Sequence, residues 1–129
     1  MRIEVGGNRV VRVLMVAGAL CLTLPALWGN ERARQLERTG DLNGARELLR
    51  QAAGASGAGL EDLTAWAEYL DRRRDPGARA AYEKALAAAQ GAGNTASVGR
   101  ITRRLMILDM LAGDAKTAQT HLDVYRKSG

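Results

Sequence analysis

A turn-and-helix phrase occurs three times in this chain, and it constrains the fold more than any other feature. It occupies residues 39–53 (TGDLNGARELLRQAA), 73–87 (RRDPGARAAYEKALA) and 112–126 (AGDAKTAQTHLDVYR). Each copy has a turn with an Asp and then a small residue. A large apolar residue follows four places later, and Ala or Tyr stands three places beyond it. Three copies in 129 residues predict a repeated structural unit rather than a catalytic motif.

The segments around these turns have the periodicity of amphipathic helices. Apolar residues recur at spacings of three and four, as in residues 42–52. This pattern predicts six helices after Asn30, the first at about Glu31–Arg38. Gly40 and Gly113 suit the end of one helix, and the Asp that follows each of them suits the start of the next.

The composition agrees with an all-α fold in a single domain. The apolar residues, 47% of the chain, are mostly Ala and Leu, which favour helices, whereas Phe is absent and aromatic residues make up only 4%. A sheet protein would need more β-branched and aromatic residues. We therefore expect three helix-turn-helix hairpins, with units at about 30–53, 60–90 and 95–127 in a domain of residues 30–129.

The N-terminal segment has the order of a secretory signal. Residues 2–12 contain three Arg, residues 13–24 contain no charge, and Pro25 follows. We predict a signal peptide over residues 1–29. An uncleaved anchor formed by residues 13–28 is the alternative, and a plain buried helix is a third interpretation. Both leading interpretations export the rest of the chain across the cytoplasmic membrane, to the periplasm or the exterior.

The aligned second helices of the three units share small and large apolar positions. The first two units are offset by 33 residues and the next two by 40, which indicates a helical repeat. These positions are predicted to pack one hairpin against the next. They are Ala45, Leu49, Ala52, Ala78, Tyr82, Ala85, Ala118, Leu122 and Tyr125.

The same positions resemble the tetratricopeptide repeat family. The resemblance rests on the patterns GD…A…L..A at 40–52, A…Y..AL at 78–86 and GD…A…L at 113–122, and it covers nearly all of the chain after residue 29. The middle unit departs from it, with Arg-Asp-Pro in place of Gly-Asp. The resemblance implies a short right-handed α-solenoid whose first helices line a concave groove. In this family the groove holds an extended peptide or a helix of a partner protein.

Carried onto this chain, the resemblance implies a set of groove residues on the first helix of each unit. Arginines among them suit an acidic segment or a terminal carboxylate. Arg100 and Arg103 belong to the cluster at 100–104, and this cluster and the one at 72–74 are otherwise ordinary solvated helix faces. The groove residues are Asn30, Arg34, Ala67, Asp71, Arg100, Arg103, Ile107 and Met110.

Catalytic, metal-binding and nucleic-acid-binding motifs are not found in the sequence. His121 is the only histidine and is predicted to lie on the surface, and no Cys, His or carboxylate cluster has the spacing of a metal site. Beyond residue 30 the chain has 16 basic and 13 acidic residues, a balance that does not call for nucleic acid. We therefore expect neither an enzyme nor a cofactor.

The sequence thus favours an exported, non-enzymatic module that binds another protein. The alternative is a membrane-tethered structural or assembly subunit whose N-terminal helix stays as an anchor. In both cases membrane contact is expected only through the N-terminal segment. The sequence stops directly after a helix of the repeating type. Three interpretations stay open: this helix is its own polar cap, the chain is the start of a longer array, or the exposed end is a face for docking or self-association.

Overall fold

The fold is all-α over the described part of the chain. The computed structural model describes residues 24–129, with side chains from residue 29 onward, and it contains six helices and no strand in that range. Residues 1–23 of the predicted signal or anchor therefore lie outside the described residues. The helices are α1 (Leu24–Arg38), α2 (Leu42–Gly54), α3 (Leu60–Arg72), α4 (Ala78–Gly91), α5 (Thr95–Leu111) and α6 (Ala115–Ser128).

Consecutive helices pack against each other along the chain. We call α1–α2 the first hairpin, α3–α4 the second and α5–α6 the third. The hairpins meet where α2 packs on α3 and where α4 packs on α5, and α1 also contacts α3. One hydrophobic core runs through all three, from Ala33 in α1 to Leu105 in α5. The six helices therefore form three packed pairs that follow one another in chain order.

The turns inside the hairpins share one backbone geometry. Gly40, Arg74 and Gly113 have φ angles of 87°, 53° and 76°, in the left-handed region that ends many helices. In each turn the N–H of the following Asp donates to a carbonyl five residues earlier, on Leu36, Leu70 and Asp109 respectively. This geometry aligns the first helices of the hairpins at offsets of 34 and 39 residues.

The turn of the second hairpin differs from the other two. Asp41 and Asp114 accept the N–H of the residue three places on, which caps α2 and α6. Asp75 instead accepts the N–H of Gly77, two residues on, and α4 begins after Pro76. The packing position Ala78 therefore stands three residues after Asp75, whereas Ala45 stands four after Asp41, which explains the offset of 33 along the second helices.

Most of the predicted packing residues lie in the core. Ala52 and Leu122 are half-buried. Tyr125 is 41% exposed, because no later hairpin covers this part of α6 within the described residues. The buried ones are Ala45, Leu49, Ala78, Tyr82, Ala85 and Ala118.

Helix α1 begins earlier than the pattern predicted. It starts at Leu24 rather than near Glu31, with Pro25 in its first turn, where a missing N–H costs nothing. It therefore runs through Gly29, the residue at which the signal was predicted to end. None of the helices in residues 24–129 has the length and apolar character that crossing a membrane requires.

Candidate functional site

A groove crosses the first helices of the three hairpins. It consists of two adjoining depressions of about 840 Å³ and about 250 Å³, which share Thr64, Glu68 and Arg100 in their linings. The larger one extends to Asn30 and Arg34 on α1. The smaller one continues along α5 as far as Ile107. We call this continuous surface the groove.

The groove brings together five of the eight residues predicted to bind a partner. Ala67 was assigned wrongly, since its side chain is 0% exposed and cannot contact a partner. It stands 34 residues after Ala33, which is also buried, so both occupy the small position where adjacent helices approach closely. Asp71 and Met110 lie outside both depressions. The five that line the groove are Asn30, Arg34, Arg100, Arg103 and Ile107.

Asp71 holds the second and third hairpins together. Its carboxylate accepts hydrogen bonds from Nε and Nη2 of Arg104 at 2.5 and 2.7 Å and from the Tyr82 hydroxyl at 3.1 Å. The Arg104 guanidinium keeps the pKa of Asp71 below its usual value. Burial, and next the Asp71 carboxylate, raise the pKa of Tyr82. This bidentate pair joins α3 to α5. Arg104 also lines the smaller depression, so the pair lies at that end of the groove.

Charged side chains of both signs line the groove. Glu68, Arg100 and Arg103 form no ion pair within residues 29–129, and Arg34 only approaches Glu31, at 3.9 Å. Apolar side chains lie between them, including Leu60 on α3. A lining of this kind can hold a peptide through apolar contacts and orient it by charge.

The arginines at the end of α3 have a structural role. Arg72 and Arg73 reach back to Glu37 on α1, at 2.8 and 3.5 Å. The Arg73 guanidinium also lies over the ring of Tyr69, whose hydroxyl donates to the Leu42 carbonyl at 2.8 Å. These contacts connect the first two hairpins, so the cluster at 72–74 is not part of the groove.

A buried polar cluster joins the second and third hairpins, and sequence reasoning did not find it. Asp109 on α5 is 0% exposed, and its Oδ2 lies 2.5 Å from Nδ1 of His121 on α6. Its Oδ1 lies 2.9 Å from Nη2 of Arg79 on α4, outside hydrogen-bond geometry, so this contact is an ion pair. His121 is therefore buried, and its assignment to the surface was wrong. The carboxylate that covers it comes from another helix, which the pattern of α6 alone does not show.

A signal for this cluster was present in the turns. Asp109 stands five residues before Asp114, as Leu36 stands five before Asp41. Aligning the first helices on these turns would have placed Asp109 at a core position. The cluster does not line the groove, and no group of three or more His, Cys, Asp or Glu in residues 24–129 is placed to hold a metal ion.

Comparisons with protein-family models, with curated proteins and with solved structures found no match to this chain.

Proposed function

We propose that this protein is an exported, non-enzymatic interaction module with tetratricopeptide-like hairpins in a short right-handed solenoid. Its groove over α1, α3 and α5 binds an extended peptide or a helix of another protein. The observation that carries this proposal is the continuous depression along the first helices of all three hairpins. The proposed function needs neither a cofactor nor nucleic acid. We expect contact with the membrane only through the N-terminal segment.

The charges of the groove favour a partner segment of mixed character. Arg100 and Arg103 on α5 favour an acidic residue or a terminal carboxylate at that end. Glu68 on α3 favours a basic residue at the neighbouring position. The apolar lining between them, with Ile101 and Ile107, accepts aliphatic side chains.

Site-specific photo-crosslinking in the native cells tests this function. A photoreactive amino acid replaces Arg34 or Ile107 in the groove of the full chain, and crosslinked proteins are identified by mass spectrometry. The matched positions outside the groove are Lys84 on α4 and Arg126 on α6, both exposed. We expect the two groove positions to yield the same partner and the two control positions to yield none of it.

Charge reversal then tests whether the groove supplies the affinity. Arg100→Glu with Arg103→Glu should reduce crosslinking from Ile107 by about tenfold or more, because each removes a charge-assisted contact. The control carries Lys84→Glu with Arg126→Glu, which changes the net charge equally. Unchanged crosslinking in the groove variant would refute partner binding in this groove.

The alternative is a membrane-tethered structural or assembly subunit whose N-terminal helix remains as an anchor. The uncharged run of residues 13–24 is the observation that favours it. Cell fractionation with N-terminal sequencing separates the two proposals. A mature chain that starts near Asn30 and stays soluble supports the cleaved, exported module, whereas an intact N-terminus in the membrane fraction supports the anchor.

A further inference from the structure

The third hairpin has a face that is equivalent to covered faces of the first two. The turn geometry aligns Met110 with Glu37 and Asp71, and the second helices align Gln119 with Arg46 and Arg79. Tyr125 aligns in the same way with Ala52 and Ala85. In the first two hairpins the charged side chains at these positions contact the next hairpin. In the third these positions lie at the surface, with Met110 67% and Tyr125 41% exposed. We call the surface of Met106, Met110, Gln119, Leu122 and Tyr125 the end face.

Both contacts between successive hairpins, which we call junctions, contain ion pairs at these positions. At the first junction, Glu37 accepts from Arg72 at 2.8 Å, and Arg46 lies 3.2 Å from Asp75. At the second, Asp71 pairs with Arg104, as described above. The counterpart of Arg46 there is Arg79, which lies 2.9 Å from Asp109. An acid on the first helix and an arginine on the second therefore form one pattern that each junction repeats.

The end face lacks both charges of this pattern. Met110 stands where the other hairpins have the acid, and Gln119 stands where they have the arginine. A further hairpin of the same kind would bring an arginine and an aspartate against these two side chains and leave both charges without partners. Leaving charged groups desolvated and unpaired is costly. The end face therefore suits a neutral, mostly apolar partner surface.

We propose that the end face docks on the same face of a second copy of this chain, in a two-fold symmetric dimer. The match follows from charge, because a face-to-face arrangement brings neutral side chains such as Met110 and Gln119 together. A head-to-tail arrangement would instead present the first hairpin's Arg38 and Asp41, the counterparts of Arg72 and Asp75. These charges would meet no opposite charge at Met110 and Gln119. A two-fold symmetric contact uses the same face of both copies, so assembly through it ends at a dimer.

Sedimentation velocity of the full chain over a concentration series tests the proposal. We expect a monomer–dimer equilibrium that does not proceed to larger species. Met110→Glu should weaken the dimer by about tenfold or more, because it places like charges within the contact. Its circular dichroism, and its unfolding midpoint at concentrations where both proteins are monomeric, should match the wild type, since Met110 is largely exposed. Leu42→Glu, at an exposed apolar residue of the first hairpin, is the matched control and should leave the dimer intact.

Disulfide trapping provides a second measurement that does not depend on weakening the dimer. In a Cys21→Ser background, which removes the only cysteine, Met110→Cys should form an intermolecular disulfide under mild oxidation, and Leu42→Cys should not. Three results would overturn the proposal: a monomer at every concentration, an open-ended series of species, or a dimer that Met110→Glu leaves unchanged. The last would place the contact elsewhere, as would equal trapping at both cysteines. The groove is a separate surface, so these results do not bear on partner binding.

Discussion

The carboxylate of Asp109 and the imidazole of His121 occupy positions that leucines hold in the first hairpin. Asp109 corresponds to Leu36 and His121 to Leu48, each 73 residues later. Both polar groups are buried, and Arg79 from the second hairpin completes the cluster. Replacing a buried ionic cluster by well-packed apolar residues is often neutral or stabilising, whereas removing one member leaves an unpaired group. The losses of stability caused by the two single substitutions should therefore not add in the double substitution.

We expect His121→Leu to lower the free energy of unfolding by about 2 kcal/mol, because it removes the hydrogen-bond partner of a buried carboxylate. Asp109→Leu should also destabilise the protein, since the charge of Arg79 then lacks its closest acid. The double variant restores the residue types of the first hairpin and should be more stable than the sum of the single changes predicts. Urea unfolding of all four proteins measures this coupling.

The double-mutant cycle can contradict this prediction directly. If the free-energy changes of the two single variants add up to that of the double variant, the contact between Asp109 and His121 contributes no coupling energy. The pair Leu36→Asp with Leu48→His, at the same positions of the first hairpin, is the matched control. We expect it to destabilise the protein, because no earlier hairpin in the described residues supplies a counterpart of Arg79.

Because of the Asp71–Arg104 pair, we expect the free energy of unfolding to depend on pH in the acid range. The pKa of Asp71 is lowered in the folded protein, chiefly by its hydrogen bonds from Arg104. A lowered folded pKa means that this stabilisation is present above the unfolded pKa of about 4 and is lost as the pH falls through the folded value. Asp71→Asn should therefore reduce the loss of stability between neutral pH and low pH.

Urea unfolding at a series of pH values measures this effect. Glu47→Gln is the control, because the Arg50 hydrogen bond lowers the pKa of Glu47 to about 2, yet the residue is exposed. Exposed pairs contribute little to stability. We expect its profile to follow the wild type closely. A profile of Asp71→Asn that is parallel to the wild type would show that Asp71 does not contribute to acid unfolding.

The sequence predicted the helices and turns because local features specify them. The small and large residues at spacings of three and four produced the stripes of α2 to α6, and Gly40 and Gly113 ended the helices before the turns. The second turn was harder to interpret, because Arg74 takes the left-handed conformation without being glycine. The spacing from Asp75 to the packing residue Ala78 is also one residue shorter than in the other two turns, which obscured the alignment of the first helices.

That misalignment explains which site residues were missed. Ala67 was placed in the groove because its equivalence to Ala33 was not recognised. His121 was predicted to lie on the surface and Asp109 was not singled out, because the burial of both depends on contacts between different helices. The arginines of α5 were found more easily, since Arg100 and Arg103 lie on the same face of one helix as Ile107. Pairings between hairpins, such as Asp71 with Arg104, require the tertiary packing and could not be derived from spacing.

Two equivalent leucines test the stacking of hairpins. Leu49 is 3% exposed between the first and second hairpins, whereas Leu122, at the same position of the third, is half-buried. Leu49→Ala should lower the free energy of unfolding by about 2–4 kcal/mol, because it leaves a cavity. Leu122→Ala should cost clearly less when measured at protein concentrations below any dimerisation. Equal losses would contradict the uncovered state of the end face in the monomer.

The left-handed turn at Arg74 provides the last prediction. A residue with a Cβ is strained at its φ of 53°, and glycine takes the same place in the other two turns. Arg74→Gly should raise the free energy of unfolding by up to about 1 kcal/mol, the relief of strain being partly offset by the freedom that glycine adds to the unfolded chain. Gly113→Ala should lower it by about 1 kcal/mol, since nothing lies within 4 Å of the new Cβ and only φ opposes it. Thermal and urea unfolding measure both changes, and Arg74→Ala separates the loss of the guanidinium from the relief of strain. A stabilisation by Arg74→Ala equal to that of Arg74→Gly would show that backbone strain is not the cause.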